Sequence, residues 1–209
     1  MPASQGCCSH DHDCEASDCG PAYSLYKHIN LDQVRCLNEE ADGSCRAVFR
    51  PWEQRASAPA APLRSDPDDS ELLLTIPFDG AVKLKALCVI GGGEGRAPNK
   101  MRLFINRDDL DFSTVNAMAA LQEFDLQEDN AAGAIEYPTQ AAKFNGVHTL
   151  TLHFQGTFGS DQSEITFIGL KGDFSERNRR AVEAVYELRP VPEDHKVPGM
   201  KQGGHFDVA

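Results

Sequence analysis

The chain has 209 residues, a formal net charge of −12 and a sequence pI of about 4.9. An acidic surface lacks the basic patch that binding to nucleic-acid phosphates requires, and it disfavours docking on anionic lipid. Met1–Gly20 has no apolar core of the kind that marks a secretory signal peptide, and no apolar run approaches the roughly 20 residues of a membrane span. We therefore expect a protein of the cytosol and nucleus, with reduced cysteines and with neither nucleic-acid nor membrane partners.

The first 20 residues form a polar segment that is crowded with zinc-ligand side chains. Thiolate and imidazole groups are the usual protein ligands of zinc. The candidates are Cys7, Cys8, His10, His12, Cys14 and Cys19. Cys14 and Cys19 have four residues between them, but no second ligand pair follows at the distance typical of a zinc finger. A disordered tail that binds metal loosely and a specific zinc site are the two interpretations.

The stretch after the tail is predicted to start the folded domain in an irregular way. A short helical turn is expected near Leu31–Arg35, with Asn30 as its cap. Trp52, the single tryptophan, is predicted to pack in the core beside Phe49, because an indole supplies much apolar area, and a platform for a ligand is the alternative. The Ala, Pro, Ser and Asp content of Gln54–Ser70 predicts a mobile surface loop.

The middle of the chain carries alternating apolar residues that predict strands. Leu72–Ile76 and Ala81–Ile90 flank an Asp-Gly pair, which is a common turn signal and predicts two separate strands. Lys100–Asn106 and Leu121–Leu126 are the next predicted strands, and Asp108–Phe112 together with the stretch from there to the second of these strands is predicted as a loop.

Two runs near the end of the domain have the strongest strand pattern. Val147–Phe154 and Glu164–Leu170 alternate β-branched and aromatic residues with polar ones, and a loop of turn-forming residues separates them. They predict a long-looped β-hairpin in the middle of a sheet. Ala181–Leu188 is a further predicted strand, which ends a folded domain of residues 21–189. Residues 190–209 are predicted to be a flexible C-terminal tail.

No catalytic motif is evident in the chain. The glycine-rich run Gly91–Gly95 lacks a glycine at the next required position, where Arg96 stands, so it does not match a dinucleotide-binding loop. His148 and His153 occupy opposite faces of one strand, and Cys88 lies in an apolar strand where a thiol is usually inert. We expect neither enzymatic activity nor a cofactor. Catalysis by residues distant in sequence is the alternative.

Some eight short strands without strand–helix alternation predict an all-β fold. An antiparallel β-sandwich is expected, and within that class a jelly roll, which manages its edges with long crossing loops.

Seven segments of the chain also resemble the PITH domain family, from about residue 23 to about residue 196. They are CLNE at Cys36–Glu39, FRPWE at Phe49–Glu53, ELLLTIPF at Glu71–Phe78, VKLKAL at Val82–Leu87, MRLFIN at Met101–Asn106, LTLHF at Leu150–Phe154 and FIGLKGDF at Phe167–Phe174. The resemblance implies a jelly roll of galactose-binding-like type, association with the regulatory particle of the 26S proteasome, and no catalysis. No thioredoxin domain or Cys-x-x-Cys motif precedes the matched segments, so a stand-alone member of the family is expected.

A small basic spot follows the last central strand and is a candidate partner-binding site. Arg177, Arg179 and Arg180 lie together on an otherwise acidic chain, and they predict contact with an acidic partner. A merely solvated turn is the alternative.

The C-terminal tail suggests a second candidate contact, made by Gly203, Gly204, His205 and Phe206. A Gly-Gly segment can pass through a groove too narrow for side chains. The proteasome's deubiquitinase is a zinc enzyme that accepts such a segment, and an open zinc position can accept the His205 imidazole as a transient ligand in trans. An inert disordered end is the alternative.

A small-ligand module for sugars or peptides is the other predicted class of function. Sandwiches of this type often hold ligands in loops at one end. The loops here are Gly91–Gly95, Gln155–Ser163 and Phe174–Arg180, and Phe158 is the candidate aromatic platform. A packed loop anchor is the alternative role for Phe158.

Overall fold

The computed structural model describes residues 24–175, apart from 58 and 60. The strands are β1 (Arg35–Leu37), β2 (Leu63–Arg64), β3 (Leu72–Gly91), β4 (Pro98–Ile105), β5 (Gln122–Asp125), β6 (Tyr137–Pro138), β7 (Val147–Thr157) and β8 (Glu164–Ser175). The helices within this range are α1 (Phe112–Ala117) and the 3-10 turns Ser24–His28, Leu31–Gln33, Ser44–Arg46 and Trp52–Gln54. All pairings between these strands are antiparallel, which confirms the predicted fold class. None of the described helices has the length and hydrophobicity to cross a bilayer.

Strand β3 belongs to both layers of the sandwich. Its first part, Leu72–Pro77, pairs with β7, and its second part, Ala81–Gly91, pairs with β8. The pairing register with β7 shifts between Pro77 and Val82, where the strand bends. The first layer is therefore β1, the first part of β3, β7, β4 and β5, and the second layer is β6, the second part of β3, β8 and β2.

The main core lies between the two layers. Alternate side chains on both parts of β3 and on β7 belong to one buried cluster, which includes Leu72, Leu74, Ile76, Leu84, Val89, Leu150, Leu152 and Phe154. Burying each such side chain contributes about 1.5–3 kcal/mol. Each outer face carries a smaller cluster. Leu73, Phe104 and Val115 pack together with the region of α1 on the first layer, and Cys88, Ile90 and Phe167 pack with Trp52 on the second.

The predicted hairpin between Val147–Phe154 and Glu164–Leu170 is wrong. Both runs are strands, as β7 and β8, but β3 lies between them in the strand order and pairs with each. The predicted turn at Asp79-Gly80 is also wrong, because β3 continues through it. A Cβ atom at Gly80 would lie 2.8 Å from the Phe174 ring, so this glycine permits close packing of the bend rather than a hairpin turn.

Several smaller expectations have mixed outcomes. The strands predicted at Lys100–Asn106 and Leu121–Leu126 are confirmed as β4 and β5. The helical turn near Leu31–Arg35 is confirmed as a 3-10 turn, although the Asn30 side chain makes no capping hydrogen bond. Gln54–Ser70 is not only loop, because it contains β2 with a fully buried Leu63.

Helix α1 lies in a stretch that the sequence predicts as loop. Its N-cap is Asp111, whose carboxylate accepts hydrogen bonds from the Thr114 amide at 2.6 Å and the Ser113 hydroxyl at 2.8 Å. These bonds hold the pKa of Asp111 at about 2, well below its usual range. A polar cap followed by only six helical residues leaves little periodicity for a sequence to reveal.

Candidate binding surfaces

Most of the site residues predicted from sequence lie outside the described residues. This holds for the N-terminal candidates Cys7, His10, His12, Cys14 and Cys19, for the basic spot Arg177, Arg179 and Arg180, and for the tail residues Gly203, Gly204, His205 and Phe206. Their assignments stay predictions. Within the described residues, no group of three or more His, Cys, Asp or Glu side chains is arranged to hold a metal ion.

Two of the three predicted ligand loops meet at one end of the sandwich. A Cβ atom at Gly95 would lie 3.2 Å from the backbone of Gly159, so Gly91–Gly95 touches Gln155–Ser163. We call this the loop end. Phe174 lies instead at the bend of β3, where it pairs with Val82 and stacks on His28 with ring centroids 3.7 Å apart. The start of the third predicted loop is therefore at the opposite end of β8.

A buried carboxylate connects the segments of the loop end. Glu164 is 8% exposed, and its Oε2 accepts hydrogen bonds from Arg64 Nε at 2.8 Å and from Arg96 Nη1 at 3.0 Å. Its backbone carbonyl also accepts a hydrogen bond from the Gly92 amide. A buried charge needs such partners, since an unpaired ion in the interior is costly. Glu164 thus links β2, β8 and the glycine-rich run.

A groove of about 310 Å³ opens beside Glu164 on the outer face of the second layer. Its lining includes Arg55, Ser57, Pro62, Ile90, Glu164 and Thr166. Arg55 is held in place by hydrogen bonds to the carbonyls of Ala132 and Trp52, and its guanidinium lies 4.3 Å from the centre of the Trp52 ring. Hydroxyl, carboxylate and guanidinium groups beside an apolar floor suit a small polar ligand.

The two aromatic residues singled out from the sequence have different environments. Phe158 is 41% exposed, so it protrudes from the loop end instead of anchoring it. Trp52 is partly buried and meets Phe167 edge-on, with centroids 5.9 Å apart. The tryptophan therefore packs against core residues, as predicted, but these belong to the outer cluster of the second layer, and the indole stays partly exposed.

A smaller pocket lies on the outer face of the first layer, next to the segment that precedes α1. It has a volume of about 120 Å³. Its lining is Arg35, Leu37, Leu73, Thr75, Arg107, Asp108 and Leu110, and we call it the Leu37 pocket. Leu37 is 43% exposed, although its cross-strand neighbour Leu73 is buried. Sequence reasoning missed this pocket, because three distant segments supply its walls.

One histidine is buried beneath α1. His153 is fully buried, its Nε2 lies 3.3 Å from Glu71 Oε2, and Phe112 packs edge-on against its ring. Burial lowers the pKa of His153, the Glu71 carboxylate raises it, and the Arg102 guanidinium lowers it. The Nδ1 atom has no hydrogen-bond partner. A general base needs access to substrate, and this imidazole has none in the folded state.

The described cysteines are held in their thiol form. Burial raises the pKa of Cys88 to about 11, and burial together with the nearby Glu39 carboxylate raises that of Cys45 to about 12. Burial also raises the pKa of Cys36 far above its usual range. Since the thiolate is the reactive form, none of these three is poised for nucleophilic or redox chemistry at neutral pH.

Comparisons with known proteins give a consistent family assignment. A family model described as the PITH domain matches residues 15–190. The PITH domain-containing protein 1 of Dictyostelium discoideum is 40% identical over 188 residues, which cover 90% of this chain and 90% of that protein. The protein of the same name from Homo sapiens is 38% identical over 188 residues, covering 90% of this chain and 87% of its own length.

Two solved structures are similar to this chain at low identity. The C-terminal domain of a chitobiase from Bacteroides fragilis is 14% identical with a TM-score of 0.49, and the match covers 71% of this chain and 94% of that one. A family 32 carbohydrate-binding module from Clostridium perfringens, solved in complex with galactose, is 9% identical with a TM-score of 0.45. That match covers 68% of this chain and 97% of the module.

Proposed function

This chain belongs to the PITH domain family, and from that premise we propose that it is a non-catalytic protein-binding module that associates with the regulatory particle of the 26S proteasome in the cytosol and nucleus. The observation that carries the proposal is the family match across residues 15–190. The proteasome association itself comes from the resemblance of the seven sequence segments to the family.

The described residues support a binding role rather than a catalytic one. The thiols of Cys45 and Cys88 are kept protonated by their raised pKa values. His153 is buried in the fold. Two large apolar side chains, Leu37 and Phe158, are nevertheless exposed, and exposed apolar anchors are typical of surfaces that contact other proteins.

The test is affinity purification of tagged protein from cytosol, with proteasome subunits quantified by mass spectrometry. The intact chain is compared with a chain truncated after Arg189, and with an intact chain in which Arg177, Arg179 and Arg180 are replaced by glutamine. Recovery of the regulatory particle with the intact chain supports the proposal, and its absence overturns it.

The two variants separate the proposed contacts. Equal recovery with the truncated chain assigns docking to the sandwich and argues against a contact by Gly203, Gly204, His205 and Phe206. Recovery only with the intact chain assigns docking to the tail. If the regulatory particle is lost only with the glutamine variant, the basic spot is supported as the contact for an acidic partner.

A second candidate function is small-ligand binding at the groove beside Glu164. Its volume of about 310 Å³ and its mixed polar lining favour a sugar or a short peptide. A thermal-shift screen of neutral and acidic sugars tests it, with Thr166→Val as the variant. A sugar that raises the Tm of the wild type but not of Thr166→Val supports binding in the groove. If no sugar raises the Tm of the wild type, sugar binding is excluded.

A further inference from the structure

The outer face of the first layer is only partly covered. Strand pairing places Leu37, Leu73, His153 and Arg102 in one row across four strands. Leu73 lies in the buried cluster with Phe104 and Val115, near α1. Leu37, the next residue in the row, is 43% exposed. The apolar end of this row therefore runs from the buried Leu73, near α1, to the exposed Leu37.

The uncovered end of the row is a concave pocket rather than a flat patch. The Leu37 pocket has a volume of about 120 Å³, with leucine side chains at positions 37, 73 and 110 in its walls. A dry apolar cavity of about 150 Å³ holds a benzene molecule. The pocket is thus the right size for one aliphatic side chain of a partner.

The rim of the pocket carries cationic groups. Arg35 is exposed, and no described side chain forms an ion pair with it. Arg107 is bound to Asp109 through Nε and Nη2, each at 2.7 Å, and Asp108 also lines the rim. Among the charged rim groups, Arg35 and Asp108 form no ion pair with a described residue, and a guanidinium binds carboxylates in a bidentate manner. A partner carboxylate can therefore pair with Arg35, although the rim as a whole carries no net positive charge.

We propose that the Leu37 pocket is a docking site for a segment of the regulatory particle that inserts one aliphatic side chain between Leu37 and Leu110 while a flanking carboxylate of the same segment pairs with Arg35. The inference rests on the proposed function and names the surface that performs it. An apolar anchor within a charged rim is the usual anatomy of a protein–protein contact.

The experiment measures the affinity of purified regulatory particle for the immobilised full chain by biolayer interferometry. Leu37→Ser is expected to weaken binding at least tenfold, and Arg35→Glu at least fivefold. Leu37→Met, which keeps an aliphatic anchor surface, is expected to stay within about twofold of the wild type. Lys143→Glu is the matched control for Arg35→Glu, because Lys143 is also an exposed cation but does not line the pocket.

Each outcome separates the pocket from the wider proposal. If the wild type binds and Leu37→Ser binds with the same affinity, the Leu37 pocket is not the docking site, and the proposed function still stands. An equal loss of affinity with Lys143→Glu and Arg35→Glu also overturns the pocket, since the loss then reflects the overall charge of the chain and not a contact at the pocket. A wild-type dimer that Leu37→Ser dissociates would place a second copy in the pocket and overturn the inference. No binding by the wild type overturns the proposed function and the inference together.

Thermal unfolding of every variant completes the experiment. Leu37 and Arg35 are exposed, so Leu37→Ser and Arg35→Glu are expected to unfold within a few degrees of the wild type. A variant that unfolds well below the wild type is replaced by Leu37→Gln, which keeps the length of the side chain and removes its apolar surface.

Discussion

The two outer faces of the sandwich are closed by different chemistry. On the second layer, Trp52 covers an apolar cluster, and the neutral side chain of Asn130 binds nearby backbone groups. On the first layer, the cover around α1 rests on a row that contains ionisable groups, with Arg102 and His153 buried beneath it. The comparison suggests that the cover over Arg102 and His153 responds to pH, because an imidazole lies buried beneath it, whereas the cluster under Trp52 contains no imidazole. We call the cover formed by Trp52 and Asn130 the neutral face, and the cover over Arg102 and His153 the charged face.

The largest effect is expected on the neutral face. Asn130 is buried, and its side chain donates hydrogen bonds to the Val89 carbonyl at 2.8 Å and the Ile135 carbonyl at 3.2 Å and accepts one from the Ile135 amide at 2.9 Å. Asn130→Ala leaves these buried groups unpaired and should lower the free energy of unfolding by about 3 kcal/mol. Urea denaturation measures it. Asn116→Ala, at an exposed amide, is the control, and equal losses would contradict the assignment.

A somewhat smaller and local effect is expected on the charged face. Arg102 is 8% exposed and donates hydrogen bonds to the carbonyls of Val115 at 2.9 Å and Met118 at 2.7 Å, at the C-terminal end of α1. Arg102→Gln should cost about 2 kcal/mol, because the buried carbonyls lose charged donors. Amide hydrogen exchange should speed up in α1 but not in β8. Arg107→Gln, on an exposed arginine nearby, is the control, and uniform acceleration across both layers would show that the cover is not a separate unit.

Acid should weaken the charged face through His153. Its pKa is lowered by burial and by Arg102, although Glu71 opposes the shift, so the folded protein binds this proton less readily than the unfolded chain. The stabilisation is complete above the unfolded pKa of about 6.5 and is lost as pH falls from there towards the lower folded value. His153→Gln should therefore reduce the loss of stability between pH 7.5 and pH 5.

Urea midpoints at the two pH values test this difference. His28, whose pKa is also lowered, chiefly by its own burial, stays in both proteins and does not contribute to the comparison. His148→Gln is the matched control, since it lies on the same strand as His153 but outside the buried row. An identical pH dependence in wild type and His153→Gln would remove His153 as the source.

The smallest effect is expected at the N-terminus of α1. Asp111→Ala removes the hydrogen bonds to Thr114 and Ser113, but the group is exposed and water replaces them. Exchange of the Thr114 amide should accelerate while the global Tm changes little. Because the pKa of Asp111 is about 2, the cap should persist at pH 4. Loss of Thr114 protection in the wild type at pH 4 would contradict this.

The sequence predicts strands better than it predicts their partners. Alternation alone identifies β4, β7 and β8, because side chains on successive residues point to opposite faces. Alternation does not show which strands pair. Because β7 and β8 are adjacent along the chain, the sequence favoured a hairpin between them, whereas in the sheet β3 lies between the two. The Asp79-Gly80 signal failed for a related reason, because the packing of Phe174 against the bend outweighs the local turn preference.

The candidate surfaces depend even more on contacts between distant residues. The carboxylate partner of His153 is Glu71, which is 82 positions away in sequence. The Leu37 pocket is assembled from β1, β3 and the segment before α1. In contrast, the burial of Cys88 in a strand was predicted correctly, because the apolar strand of its own sequence is enough to bury the thiol.

The shared strand β3 has a consequence for biosynthesis. Thr75 must find Thr151, and Leu87 must find Leu170, so each part of β3 has one edge that waits for a strand translated much later, although Leu73–Thr75 can already pair with β1 on the other edge. At about 5–20 residues per second, ribosomes need several seconds to supply β7 and β8. During that interval a long strand rich in leucine has an unpaired edge along most of its length, and such an edge can pair with other chains and aggregate. Nascent chains of this protein should therefore require a chaperone until the last strand has left the ribosome.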